Sequence, residues 1–126
     1  MDDRFIMSTH GQTPPAVDDN VLQRLFEMGD AALKQAFCQQ FLIDFDRLRG
    51  AISGEDGKEV SRAAHELKGL AATVGAMRLA DMARRFDAIA EGMAPAARNA
   101  VAVPIEREID AVMAHLRAAA QDPTDV

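Results

Sequence analysis

Apolar residues in this chain return every three or four positions, in runs broken by glycine and proline, and that pattern leaves little besides helices packed side by side. Leu33, Phe37, Phe41, Phe45, Leu48 and Ile52 form one such run, Leu79, Met82, Phe86, Ile89 and Met93 another, and Ile105, Ile109, Val112, Met113 and Leu116 a third. Trp and Tyr are absent, strand-type alternation is hard to find, and good helix formers dominate. The expected fold is all-α.

The punctuation sets the boundaries. Asp18, Asp19 and Asn20 can each cap a short first helix that carries Val21, Leu22, Leu25 and Phe26 as far as Gly29. Asp30 can cap a second, which ends in the loop Ser53 to Gly57. A third runs from about Lys58 to Val74 and stops at Gly75, a residue suited to the left-handed turn after a helix. A fourth runs from about Met77 to Glu91, and Pro95 suits the first turn of a fifth, in which Pro104 predicts a kink or a late start. Four substantial amphipathic helices joined by short loops most simply make an antiparallel four-helix bundle, with the additional short N-terminal helix capping one end. Residues 1–16 are expected to form an arm, in which Phe5, Ile6 and Met7 are an apolar patch that could dock. The bundle then spans 17–120, and 121–126 are a frayed tail.

With 126 residues there is room for one ordinary domain. Fourteen Lys and Arg against 20 Asp and Glu give a formal charge of −6, which argues against nucleic acid or an anionic membrane surface as partner. One cysteine, Cys38, permits no intramolecular disulfide and reads as a small helix residue in a cytoplasmic protein. Two acids precede the first apolar patch, so no signal peptide is expected, and no run approaches the roughly 18 apolar residues of a membrane span. His10 and His115 have no companions at ligand spacing, so no metal site is expected. Gly57-Lys58 lacks the Ser or Thr and the preceding strand of a phosphate-binding loop.

The third helix carries the chemistry. With Leu67 pointing into the core, Val60, Ala63, Ala64, Leu70, Ala71 and Val74 fall within about 60° of it, while His65 falls about 160° away. The outer neighbours of His65 are Lys58, Ser61, Arg62, Lys68, Gly69 and Ala72. An imidazole with cations one turn to either side suits a nucleophile that must carry an anionic group: Lys68 can reach a phosphoryl oxygen on His65, and Arg62 adds positive potential. A mid-helix glycine costs roughly 1 kcal/mol relative to alanine, so Gly69 one turn past the histidine implies clearance for a phosphoryl group or a partner's backbone. Ala72 keeps the same face flat. Asp87 is a candidate to hold the second ring nitrogen, because it lies twelve residues after the Gly75 hairpin and His65 ten before it.

The run Ala64-His65-Glu66-Leu67-Lys68-Gly69, followed by Leu70-Ala71-Ala72-Thr73-Val74-Gly75-Ala76 and Leu79, resembles the signature of the histidine phosphotransfer (HPt) family. Phe41, Asp44 and Leu48 resemble its preceding helix, and the likeness spans about Val17 to Leu116. The resemblance implies a bundle that accepts a phosphoryl group on His65 from an aspartyl phosphate on a receiver domain, or from a histidine or hybrid kinase, and passes it to a response regulator. By the same resemblance it would make no ATP contact itself and have no autonomous kinase activity. It would need no cofactor of its own, since the receiver supplies Mg²⁺ and the acidic pocket. Chemotaxis-kinase relatives carry a glutamate where this chain has Asp87, one methylene shorter. The surface of the second and third helices is the expected docking site for a transient receiver, and the chain is expected to be a monomer. Two alternatives stand beside this reading: a non-phosphorylated helical-bundle adaptor that competes for receivers or kinases, and a substrate module phosphorylated in trans by a separate ATP-binding kinase.

Overall fold

Aspartates open three of the helices. In the computed structural model, which describes residues 15–121, Asp18 accepts from the Asn20 backbone N–H, Asp30 from Leu33 and Asp56 from Lys58, each at 2.9 Å. These bonds satisfy donors that the first turn of a helix leaves without partners, and they start α1 (Asp19–Phe26), α2 (Ala31–Ala51) and α3 (Gly57–Val74). After two residues α4 (Met77–Ile89) begins, and it tightens into a 3₁₀ turn at Ala90–Gly92. Pro95 stands at the start of α5 (Pro95–Ala120), where its missing N–H costs nothing.

Each long helix packs on two others: α2 on α3, α3 on α4, α4 on α5, and α5 back on α2. The ring is the antiparallel four-helix bundle that the periodicity predicts. Its sense shows at the α2–α5 seam, where Gln35 near the start of α2 donates to the Ala120 carbonyl at the end of α5, and Arg49 near the end of α2 pairs with Asp110 at 2.7 Å. The interior is filled by Phe45, Leu48, Leu67, Leu79, Phe86, Ile109 and Leu116, all buried, and burial of each such side chain contributes about 1.5–3 kcal/mol.

Gly75 closes α3 at φ 84°, a left-handed value that side chains resist. Its carbonyl accepts from the Asp18 N–H at 2.9 Å, and a Cβ there would lie 2.8 Å from Val21 Cβ. The short α1 therefore seats on the α3–α4 hairpin and caps that end of the bundle, as expected.

Several sequence expectations need correction. In the first half of α2, Lys34 and Cys38 turn inward and Leu33 stays exposed, with Phe37 and Phe41 half-buried. Lys34 can be buried because its ammonium lies 5.3 Å above the Phe26 ring. Ile89 is exposed as α4 gives way to the 3₁₀ turn, and Ala83 and Ala90 take inward places beside Phe86. No late start occurs at Pro104, because α5 is already helical from Pro95 and Pro104 sits on its exposed side. The fifth helix also buries Arg98, whose guanidinium donates to the carbonyls of Met93 at 2.8 Å and Glu55 at 2.5 Å and so ties the α2–α3 loop to the start of α5. Burial pushes the Cys38 thiol above its usual range, which suits a packing residue. Among the described residues no helix is long and apolar enough to cross a membrane. The expected arm, with the Phe5–Met7 patch and His10, lies outside the described residues except for Pro15 and Ala16, and so does the tail beyond Gln121.

Candidate functional site

The outer face of α3 follows from its inner one. Val60, Ala63, Ala64, Leu67, Ala71 and Val74 are buried and Leu70 is half-buried, so the rotation of the helix is fixed and His65 is carried outward. Its side chain is 68 % exposed.

His65 leans toward α4. Its Nδ1 lies 3.2 Å from Asp87 Oδ2, and Asp87 Oδ1 accepts a 2.6 Å hydrogen bond from the Ser61 hydroxyl, one turn before His65 on α3. The Ser61 hydroxyl, followed by His65 and the field of Lys68, holds the Asp87 carboxyl below the usual carboxylate range against an opposing effect of burial. An ionised carboxylate only accepts, so the proton between the two residues belongs to Nδ1, and Nε2 carries the lone pair. The aspartate, one methylene shorter than a glutamate, is long enough to reach the ring.

The remaining predicted residues fall around this pair. Lys68 is half-buried one turn after His65, Gly69 and Ala72 are exposed beyond it, and Arg62 is exposed on the turn before. A Cβ added to Gly69 would meet nothing within 4 Å, so no packing inside this chain requires glycine there. Ser61, His65, Lys68 and Ala72 lie on the side of α3 that faces α4, whereas on the α2 side Glu66 is joined to Arg47. The group that engages the imidazole thus comes from α4, while on the α2 side the neighbouring Glu66 is held by Arg47.

Sequence reasoning missed what α4 contributes. The hairpin register that sets Asp87 opposite His65 also sets Arg84 opposite Lys68 and Ala80 opposite Ala72. Together with Gly69, Met77 and Asp81, these residues line a shallow hollow beside the histidine. The count from Gly75 that found Asp87 contains this signal too. Sequence reasoning gave His115 no companion at ligand spacing and no role, yet its Nε2 lies 2.6 Å from Asp19 Oδ1 and links α5 to α1. Among the described residues no group of three or more His, Cys, Asp or Glu is arranged to hold a metal ion.

Residues 32–119 match the family model described as the Hpt domain, which covers well over half of the chain and leaves α1 outside. No curated protein and no solved structure matches the chain.

Proposed function

Because the chain belongs to the Hpt domain family, whose members are phosphocarrier modules that work with receiver domains and histidine kinases in phosphorelays, we propose that His65 is the residue that is loaded and unloaded. The observation that carries this reading is an exposed imidazole whose Nδ1 is engaged by Asp87, leaving Nε2 as the nucleophile.

The Nε2 lone pair attacks the phosphorus of an aspartyl phosphate on a receiver domain, the bond from phosphorus to the aspartyl oxygen breaks, and the carboxylate leaves with that electron pair. The proton on Nδ1 stays, and Asp87 offsets the positive charge that the ring acquires. In the return step a carboxylate of the next receiver attacks phosphorus, the N–P bond breaks, and the ring recovers its lone pair. Lys68 stabilises the phosphoryl oxygens, with Arg62 adding potential from the preceding turn. Gly69 and Ala72 leave room for the visiting backbone, and Ser61 positions Asp87. Any Mg²⁺ the transfer requires arrives with the receiver, and the bundle contributes position.

The test is incubation with a labelled phospho-receiver, comparing the wild type with His65→Gln. The wild type should acquire acid-labile, alkali-stable label that two-dimensional NMR places on Nε2, and the variant none. Label persisting in His65→Gln would overturn the assignment, and a wild type that binds the receiver yet acquires no label would favour an adaptor.

A further inference from the structure

The flank of α4 turned away from His65 carries an apolar trough. Met82 and Ile89 of α4 and Val101 and Pro104 of α5 form its walls, and Phe86 and Ile105 its floor. Ile89, Val101 and Pro104 are exposed although they are apolar, and among the described residues Arg85 is the one charged member of the lining. The trough holds about 190 Å³, and an apolar cavity of roughly 150 Å³ admits a benzene ring. It therefore takes one aromatic side chain. The charge at its rim is unbalanced: Arg85 reaches Asp81 at 3.0 Å, but Arg84 draws on the same carboxylate at 2.7 Å. A further anion is favoured there.

Reach and chemistry name an occupant within the same chain. The described chain begins at Pro15, which lies with Met77 and Arg78 at the start of α4, and Arg78 pairs with Glu108 across the α4–α5 seam at 3.0 Å, one turn before Met82. From Arg78 the trough extends along α4 as far as Ile89, eleven residues on, or about 17 Å. Phe5 stands ten positions before Pro15, and an extended chain covers about 33 Å in ten steps, so the preceding segment spans the trough with slack. Asp2 and Asp3 stand just before Phe5, Ile6 and Met7, an order that brings carboxylates to Arg85 when the apolar residues are seated. A second copy docked trough to trough would instead bring another Arg85 to a rim where Asp81 is already shared.

We propose that residues 2–7 dock along the α4–α5 trough, with the Phe5 ring between Phe86, Ile89 and Val101 and the Asp2 and Asp3 carboxylates on Arg85. The seat lies on the opposite flank of α4 from Asp87, so the segment covers an apolar face and leaves the imidazole open.

Methyl NMR of the full chain tests this. The Phe5 ring should show NOEs to the methyls of Ile89 and Val101, and isotope-filtered spectra of mixed labelled and unlabelled chains should assign them within one chain. Phe5→Ser should abolish these NOEs and move the Ile89 and Val101 methyl signals, while Ile43, exposed on α2, keeps its position. Arg85→Glu should weaken the same NOEs, and adding Asp2→Lys and Asp3→Lys to Arg85→Glu should restore them. Labelling of His65 by phosphoramidate should proceed at the wild-type rate in Phe5→Ser. Absence of the NOEs from the wild type, or unmoved Ile89 and Val101 methyls in Phe5→Ser, would overturn the proposal. NOEs found only between chains would give the trough to a second copy and overturn it equally, and a changed labelling rate in Phe5→Ser would place the segment on the imidazole face instead.

Discussion

Two histidines of this chain each face an aspartate, and they do so with opposite ring nitrogens. His65 meets Asp87 through Nδ1 at 3.2 Å, and His115 meets Asp19 through Nε2 at 2.6 Å. The first ring is 68 % exposed and its aspartate is held in place by Ser61, whereas the second is 24 % exposed and its aspartate stands in solvent. A carboxylate beside an imidazole therefore does not by itself fix which ring nitrogen is left open. Engaging Nδ1 leaves the outer nitrogen with its lone pair on an open ring, while engaging Nε2 leaves only the nitrogen crowded by the residue's own backbone. The pair at His115 joins α5 to α1, and the pair at His65 orients the ring that we propose is phosphorylated.

Exchanging the two sites would break this comparison most severely. His65→Gln should abolish labelling by a phospho-receiver, and His115→Gln should leave its rate unchanged; loss of transfer in His115→Gln would show that the second pair also serves the chemistry. Asp87→Asn comes next: it keeps the shape and removes the charge, so transfer should slow by roughly tenfold to a hundredfold, the scale of losing the partner that orients a metal-bound imidazole. Stopped-flow transfer kinetics would read this, and an unchanged rate would remove Asp87 from the mechanism. Lys68→Ala should slow transfer by roughly tenfold, the worth of one charge-assisted hydrogen bond, with the helical circular dichroism intact. In the other direction, His115→Gln should lower the unfolding free energy by about 0.5–1 kcal/mol in urea titrations, since its partner Asp19 is exposed.

The smallest effect concerns pH. The Ser61 hydroxyl first, and His65 and Lys68 after it, hold the Asp87 carboxyl below its ordinary range, so the folded chain binds fewer protons at this position than the unfolded one. The stability this provides is complete above about pH 5 and is lost as the pH falls below about 4. The difference in unfolding free energy between the wild type and Asp87→Asn should therefore be constant at neutral pH and shrink in acid. A difference that grows on acidification would show that the direction of the shift is wrong.

The third helix was legible because eighteen residues of strict periodicity, an aspartate cap and a left-handed glycine all agree on its ends and its inner face. Asp87 was legible for a different reason: two antiparallel helices joined by a short hairpin keep step, so counting outward from Gly75 finds the opposite number of His65. The first half of α2 was not legible, because Leu33 and Phe37 are as apolar as Cys38 and the choice between the two faces is made by Phe26, which offers Lys34 a ring to lie against. Arg98 could not be found by periodicity either, since its burial depends on carbonyls supplied by Glu55 and Met93, brought together only by the fold. The hollow escaped notice because it is made of what glycine and alanine lack, and absent side chains leave no hydrophobic pattern.

The joint between α3 and α4 consists of Gly75 and Ala76 alone. One residue added to it would turn all of α4 by about 100° and advance it by about 1.5 Å, swinging Asp87 and Arg84 away from their counterparts together. The gauge of a connection about 15 Å down the helix from the imidazole thus sets the alignment of every group that α4 brings to it, as the pitch of a screw sets the meeting point of two distant jaws.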